Sequence, residues 1–290
     1  MTAAIDALEA AFGAPALPAA PGRSHVETAG GTLLVMPSHG EAGVGVKLVT
    51  LTPSNTERSL PFIHAVYLLF DAQTQAPIAL LDGSALTALR TAAVSGLATR
   101  HLARRDARRL VIYGAGVQAR AHLEAMRAVR PVEDLVIVSR GRERAEGLAA
   151  EARSAGLLAR LGEPGAEAEA DLVCTCTTST EPVVAGAFLA EGVHVNAVGA
   201  YTIAMRELDA EAVRRAKVVV ETREAAAAEA GDLAIAMTEG AIGVDHVKAE
   251  LSQVVQGASV RTADADVTLF KSVGVAFEDL VVARAAVDRS

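Results

Sequence analysis

The run Leu110-Val-Ile-Tyr113 followed by Gly114-Ala-Gly116-Val-Gln118-Ala119 constrains the fold of this chain more than any other feature. A short apolar strand leads into a glycine turn and then into a helix. Gly114 permits a tight turn, Gly116 lets a pyrophosphate approach the backbone, and Ala119 is small enough for close packing of helix on strand. The unpaired N–H groups and positive dipole end of that helix suit phosphate, so Gly114, Gly116, Val117, Gln118 and Ala119 are candidate dinucleotide-binding residues. From Arg109 onward short apolar strands alternate with helices, the pattern of a parallel sheet built from βαβ units. Strands are expected over 110–113, 135–138, 172–176, 194–198 and 218–221, with a loop over 162–170, a last strand over 267–270 and a helix over 275–287.

The chain before this region has a different grammar. Ile5, Leu8 and Phe12 recur at helical spacing. The β-branched and apolar runs 32–36, 44–51, 63–70 and 78–81, separated by Pro, Gly, Ser and Asn, predict a mostly antiparallel sheet. Ser84 is the expected N-cap of a helix over 85–104. The expected fold class is therefore α/β, in two domains. A Rossmann-type doubly wound parallel sheet spans 109–265, and an α+β domain for substrate binding and dimerisation spans 1–108 with 266–290.

Composition narrows the partners. A chain of 290 residues, 51% of them hydrophobic, can bury a sizeable core. Its net charge of −8, with 3% aromatic residues and no Trp, argues against nucleic acid and anionic lipid. No apolar run approaches the roughly 20 residues that span a bilayer, and Asp6 and Glu9 stand where a signal peptide would be basic. The only cysteines, Cys174 and Cys176, are expected to lie on one strand and to stay unpaired, which fits a reducing cytoplasm. No metal site is expected, because two thiols without histidines at ligand spacing do not complete one.

The second strand of the parallel region ends in Val138-Ser139-Arg140-Gly141-Arg142. A site for NAD would place a carboxylate there, on the ribose hydroxyl. Ser139, Arg140 and Arg142 offer instead a hydroxyl and two guanidinium groups, suited to a 2′-phosphate, so NADP(H) is the preferred cofactor and NAD(H) the alternative. Thr177, Thr178 and Ser179, with Val198, end strands at the carboxyl edge where doubly wound sheets bind ligands. Lys47 and Arg90 each interrupt an apolar segment, where an unpaired charge would be costly. His64, among apolar residues of a strand, is expected in a core or an interface rather than in chemistry.

Taken together, Met36-Pro37, Gly45-Val-Lys47, Leu69-Phe-Asp71, Leu86-Thr-Ala-Leu-Arg90-Thr-Ala-Ala93, the glycine turn, Asn196-Ala-Val-Gly199, Arg206-Glu-Leu-Asp209 and Phe270-Lys-Ser-Val-Gly274 resemble the ornithine cyclodeaminase and mu-crystallin family over nearly the whole chain. The resemblance implies a homodimer, a substrate carboxylate held by Arg23, Lys47 and Arg90, and a nicotinamide near Ser272 and Val273. The family includes cyclodeaminases, alanine dehydrogenases, reductases of cyclic α-imino acids, and mu-crystallin, which also binds thyroid hormone. Two departures separate this chain from the cyclodeaminases. Their catalytic Asp after Val-Gly is missing from Val198-Gly199-Ala200-Tyr201, and Leu34 stands where they carry an acidic residue before Met-Pro. The resemblance therefore implies an NAD(P)H-dependent reductase of pyrroline-2-carboxylate or piperideine-2-carboxylate, forming L-proline or L-pipecolate, with Lys47, Tyr201 or water managing the proton. The alternatives are an alanine dehydrogenase, an ornithine cyclodeaminase and a non-catalytic ligand-binding protein.

Overall fold

The computed structural model describes residues 1–58 and 60–289. By packing, the chain divides into Thr2–Arg90 with the segment from Val275, and Thr91–Gly274 with Met1.

In the first unit, α1 (Thr2–Gly13) is followed by β1 (Ser24–Thr28), β2 (Gly31–Gly40), β3 (Gly43–Leu51), β4 (Ile63–Phe70) and β5 (Pro77–Asp82). These strands pair in sequence order, every pair antiparallel, as hairpin connections require. Strand alternation then sorts the side chains. One face turns inward with Leu34, Met36, Lys47, Val49, Tyr67 and Leu69, all buried. It is covered by α9 (Ala276–Val287), against which α1 also packs. The Phe12 and Phe277 rings meet edge to face at 5.0 Å.

The other face of this sheet is also apolar. The register places Val35, Leu48, Val66, Leu68 and Leu80 together on it, and none of them is buried. Leu80 is 69% exposed. His64 belongs to this face and is exposed, so of the core or interface expected for it the core is excluded.

A long helix, α2 (Gly83–Leu102), follows β5, and the division between the units falls inside it. Its cap is Asp82, not Ser84, since Asp82 Oδ1 accepts from the N–H groups of Ser84 at 2.8 Å and Ala85 at 3.0 Å. A carboxylate at that position also meets the helix dipole favourably.

The second unit continues with β6 (Arg109–Tyr113), α3 (Val117–Val129), β7 (Asp134–Val138), α4 (Arg142–Ser154), β8 (Leu158–Leu161), β9 (Leu172–Thr175), β10 (His194–Ala197), α5 (Ala210–Arg215), β11 (Lys217–Val220), α6 (Arg223–Glu229), α7 (Gly231–Thr238), β12 (Val247–Glu250), α8 (Leu251–Val255) and β13 (Thr268–Lys271). All eight strands are parallel, in the order β12-β11-β13-β10-β9-β6-β7-β8. Both faces are covered, as parallel sheets demand. Val111, Tyr113, Val136 and Val173 join one core, while Leu110, Ile112, Leu135 and Leu172 join the other. Cys174 packs in the second of these cores with Cys176 against it, and both are free thiols.

Three strands go beyond the sequence expectation, namely β1, β8 and β12, and the expected loop over 162–170 contains a 3₁₀ turn at Ala166–Glu169. The last strand also differs in allegiance. It was expected to leave the dinucleotide-binding region at 266, but β13 is inserted between β10 and β11 and adds two parallel ladders there. Backbone pairing therefore keeps Thr268–Lys271 in the parallel sheet, and only the helix after Gly274 joins the first unit.

Candidate functional site

The strand order reverses direction between β6 and β9, and doubly wound sheets bind ligands at the carboxyl ends of the strands at such a point. The glycine turn lies there. Gly114 has φ +109°, and a Cβ on it would come within 2.6 Å of the Cys176 carbonyl oxygen, so only glycine lets the turns after β6 and β9 approach. A Cβ on Gly116 would meet nothing within 4 Å, which leaves open space above the turn. Gly116 is the N-cap of α3 and no side chain caps that helix. Its first N–H groups are therefore available to an anion. Val117 is 69% exposed beside them, Ala119 is buried, and the buried Gln118 Oε1 has no hydrogen-bond partner. These are features of a dinucleotide cradle, and the residues present fit the group.

At the end of β7, Arg140 and Arg142 are exposed and Ser139 Oγ accepts from the Gly141 N–H at 3.2 Å. Gly141 is the N-cap of α4, again without a side-chain cap. The stretch from Ser139 to Arg142 carries no carboxylate.

Several of the remaining carboxyl-edge residues are held by three buried acids that sequence reasoning missed. Glu207 accepts from Thr175 Oγ1 at 2.7 Å, Thr177 N–H at 2.6 Å, Thr177 Oγ1 at 2.7 Å and Gly199 N–H at 2.7 Å. Burial raises its pKa, and the nearby Lys271 charge opposes that rise. Asp232 accepts from the N–H groups of Glu207 and Leu208 and pairs with Lys271 Nζ at 2.9 Å, both side chains being fully buried. Glu221 accepts from Ser272 Oγ at 2.6 Å, Val273 N–H at 2.9 Å and Gly274 N–H at 2.9 Å. The polar groups of Thr177, Ser272 and Val273 are thus engaged by protein carboxylates. Ser179 Oγ closes its own turn onto the Glu181 carbonyl at 2.6 Å. Thr178 is exposed and Val198 half-buried beside them. A surface depression of about 350 Å³, lined by Arg109, Asp134 and Arg160 among others, lies by the first residues of β6 and β7. That is the strand end away from the glycine turn, and it holds none of the candidate residues.

The first unit holds a second polar centre. Lys47 on β3 and Arg90 on α2 are buried, not solvated. Lys47 Nζ donates to Asp279 Oδ2 at 2.7 Å, Arg90 Nη1 to Glu278 Oε2 at 2.9 Å, and Arg90 Nε stands 3.3 Å from Asp279 Oδ1. Asp279 therefore bridges the two cations. Burial lowers the Lys47 pKa to about 8, Asp279 opposes that, and Arg90 and then Arg23 push it further down. The other two predicted carboxylate-binding cations thus both act on Lys47. Buried ion pairs add little net stability over apolar side chains of like size, so folding alone does not account for four charges here. Glu278 and Asp279 could have been suspected from the sequence, as the acidic pair inside the otherwise apolar Ala276–Ala283.

Two departures gain structural content. Ala200 is fully buried, and Leu34 packs with Met36, Val49 and Ala276. Neither position offers the acid that the cyclodeaminases use.

The profile of the ornithine cyclodeaminase/mu-crystallin family matches residues 1–290. The chain belongs to this family. Among its members, a Delta(1)-pyrroline-2-carboxylate reductase from Bacillus cereus is 40% identical over 271 residues, covering 89% of this chain and 82% of the relative. The solved structure of Thermococcus litoralis Delta(1)-pyrroline-2-carboxylate reductase in complex with NADH and L-proline is 38% identical and superimposes with a TM-score of 0.92, over 99% of this chain and 92% of the other. An archaeal alanine dehydrogenase dimer with bound NAD is 32% identical, with a TM-score of 0.93 over 99% and 90% of the two chains. These relatives are nicotinamide-dependent reductases and dehydrogenases, and this chain is an oxidoreductase of the same class.

Proposed function

We propose that this protein reduces a cyclic α-imino acid, pyrroline-2-carboxylate or piperideine-2-carboxylate, to L-proline or L-pipecolate. The observation that carries the reading is the buried pair Lys47 and Arg90, bridged by Asp279, in a chain 40% identical to a pyrroline-2-carboxylate reductase. Lys47 and Arg90, with Arg23, hold the substrate carboxylate. An ammonium and a guanidinium bind it with charge-assisted hydrogen bonds and fix the C=N carbon in place, and orientation of this kind supplies much of the acceleration. The nicotinamide cofactor, held by Gly114 to Ala119, supplies hydride when bound. Lys47, with its pKa lowered towards neutrality, keeps the imine nitrogen protonated and so electrophilic.

The cofactor in this reading is NADPH rather than NADH. Support comes from Ser139, Arg140 and Arg142 where an NAD site would carry an acid. Arg140→Ala is expected to weaken NADPH binding by about 1.5–3 kcal/mol, the range for hydrogen bonds to charged groups, and NADH binding hardly at all. Titration of both cofactors into wild type and variant checks this.

The protein also works as a homodimer in this reading, through the outward apolar face of the antiparallel sheet. An antiparallel sheet usually keeps one face polar, and this one does not. Among the described residues no helix is long and apolar enough to cross a membrane.

One assay tests the main proposal. Oxidation of NADPH and NADH is followed with pyrroline-2-carboxylate, piperideine-2-carboxylate, and pyruvate with ammonia, alongside ammonia release from ornithine. Turnover of a cyclic imine well above the others is expected. Preference for pyruvate with ammonia would make the protein an alanine dehydrogenase, and release from ornithine a cyclodeaminase.

A further inference from the structure

The inner face of the antiparallel sheet carries one polar atom that the charged centre leaves unexplained. Tyr67 on β4 is fully buried, and its hydroxyl has no hydrogen-bond partner. A tyrosine kept in a core normally finds a partner for that group or gives way to phenylalanine. Its surroundings are specific. Tyr67 stands directly opposite Lys47 in the β3–β4 ladder, and residues paired in this way project from the same face. Its ring lies over Gly45, where a Cβ would overlap the hydroxyl and come within 2.6 Å of Cζ. Gly45 is not held by its own backbone, since its φ lies outside the left-handed region, so the demand for glycine comes from the phenol above it. Gly45 and Lys47 are therefore one device on one face of β3: the glycine seats the hydroxyl and the lysine supplies the charge beside it.

Towards an anion the hydroxyl acts as a donor. Burial raises the Tyr67 pKa, and the Asp279 carboxylate raises it further, so the group stays protonated and can donate. It is the only uncharged side-chain donor among the groups of this centre named above.

Resting on the carboxylate-binding reading of this centre, we propose that Tyr67 is a substrate-binding residue whose hydroxyl donates a hydrogen bond to the substrate carboxylate held by Lys47 and Arg90. A hydroxyl without a protein partner is then the free-state form of a donor awaiting its acceptor.

The test compares wild type with Tyr67→Phe, which keeps the ring and removes only the unpartnered hydroxyl. The KM for pyrroline-2-carboxylate is expected to rise roughly tenfold or more, as for a lost hydrogen bond to a charged group, with kcat within about twofold and the melting temperature not lowered. Gly45→Ala, which displaces the hydroxyl instead of deleting it, is expected to raise KM in the same direction. A KM unchanged in Tyr67→Phe, or a fall in kcat at constant KM, overturns the assignment. Calorimetric titration with pyrrole-2-carboxylate, a planar analogue that needs no turnover, separates this failure from that of the main reading. Weaker binding by Tyr67→Phe supports the role even if wild type reduces no imine. Equal binding overturns it while leaving reduction intact, and no binding to wild type overturns both.

Discussion

At the scale of the residue, the role proposed for Lys47 implies a pH limit on activity. It would bind a carboxylate only as the cation, and burial lowers its pKa from 10.5 to about 8. Catalytic efficiency towards the imino acid is therefore expected to fall above about pH 8, as the proton leaves. The sign of the neighbouring effect follows from the same centre. Asp279 favours the cation, so Asp279→Asn is expected to move the fall to lower pH, while Lys47→Arg, whose guanidinium stays charged but cannot pass a proton to the imine, is expected to lower efficiency throughout and remove the fall. The measurement is log(kcat/KM) against pH for the three proteins. A profile whose alkaline limb does not move in Asp279→Asn would take Lys47 out of the titration. The stability linkage runs the other way. A folded pKa below the unfolded one means that the unfolded chain binds more protons between about pH 8 and 10.5, so this group penalises folding below pH 8 and the penalty lifts as pH rises through that window.

At the scale of the element, what was legible and what was not divides along physical lines. The central strands announce themselves because both faces are buried: β6, β7 and β9 are near-continuous apolar runs, while β10 carries the buried polar residues His194 and Asn196 beside Val195 and Ala197. The strands that escaped notice, β1, β8 and β12, are all at sheet edges. Every residue of β1 is exposed and only one of four in β8 is buried, so burial left no pattern in their sequences. The residues of the candidate site divide in the same way. The glycine turn is legible because its backbone demands particular residues, and Lys47 and Arg90 because a charge in an apolar run is costly. Glu207, Glu221 and Asp232 are not, since an acid near a helix or strand end reads as solvated and its partners lie up to 53 residues away in sequence. Their importance is testable at Asp232, whose loss leaves Lys271 buried without its counter-charge and frees the Glu207 and Leu208 N–H groups. Asp232→Ala is expected to lose about 3–5 kcal/mol of stability, the range for breaking a buried pair, in urea unfolding. A loss under about 1 kcal/mol would show that the edge does not depend on this pair.

At the scale of the whole molecule, the two apolar faces of the antiparallel sheet make association the expected state. Val66→Glu and Leu80→Glu put a charge onto the outward face at exposed positions, where the cost to the isolated fold is small. Sedimentation is expected to show a wild-type dimer and a variant shifted towards monomer, with a melting temperature that no longer rises with protein concentration. A wild type that sediments as a monomer at micromolar concentration would end this reading.

The placement of β13 has a consequence in time. Its neighbours β10 and β11 are each complete well before it, and about 70 residues separate Ala197 from Thr268. At a synthesis rate of roughly 5–20 residues per second, β10 waits about 4 to 14 s on the ribosome with one edge unpaired. Such an edge is a template for other chains. When β13 arrives it closes both gaps in one step and brings Lys271 to the waiting Asp232. The late strand is thus a keystone. The nascent sheet cannot settle strand by strand, and a chain interrupted before residue 268 would leave an open-edged species for the cell's chaperones and proteases.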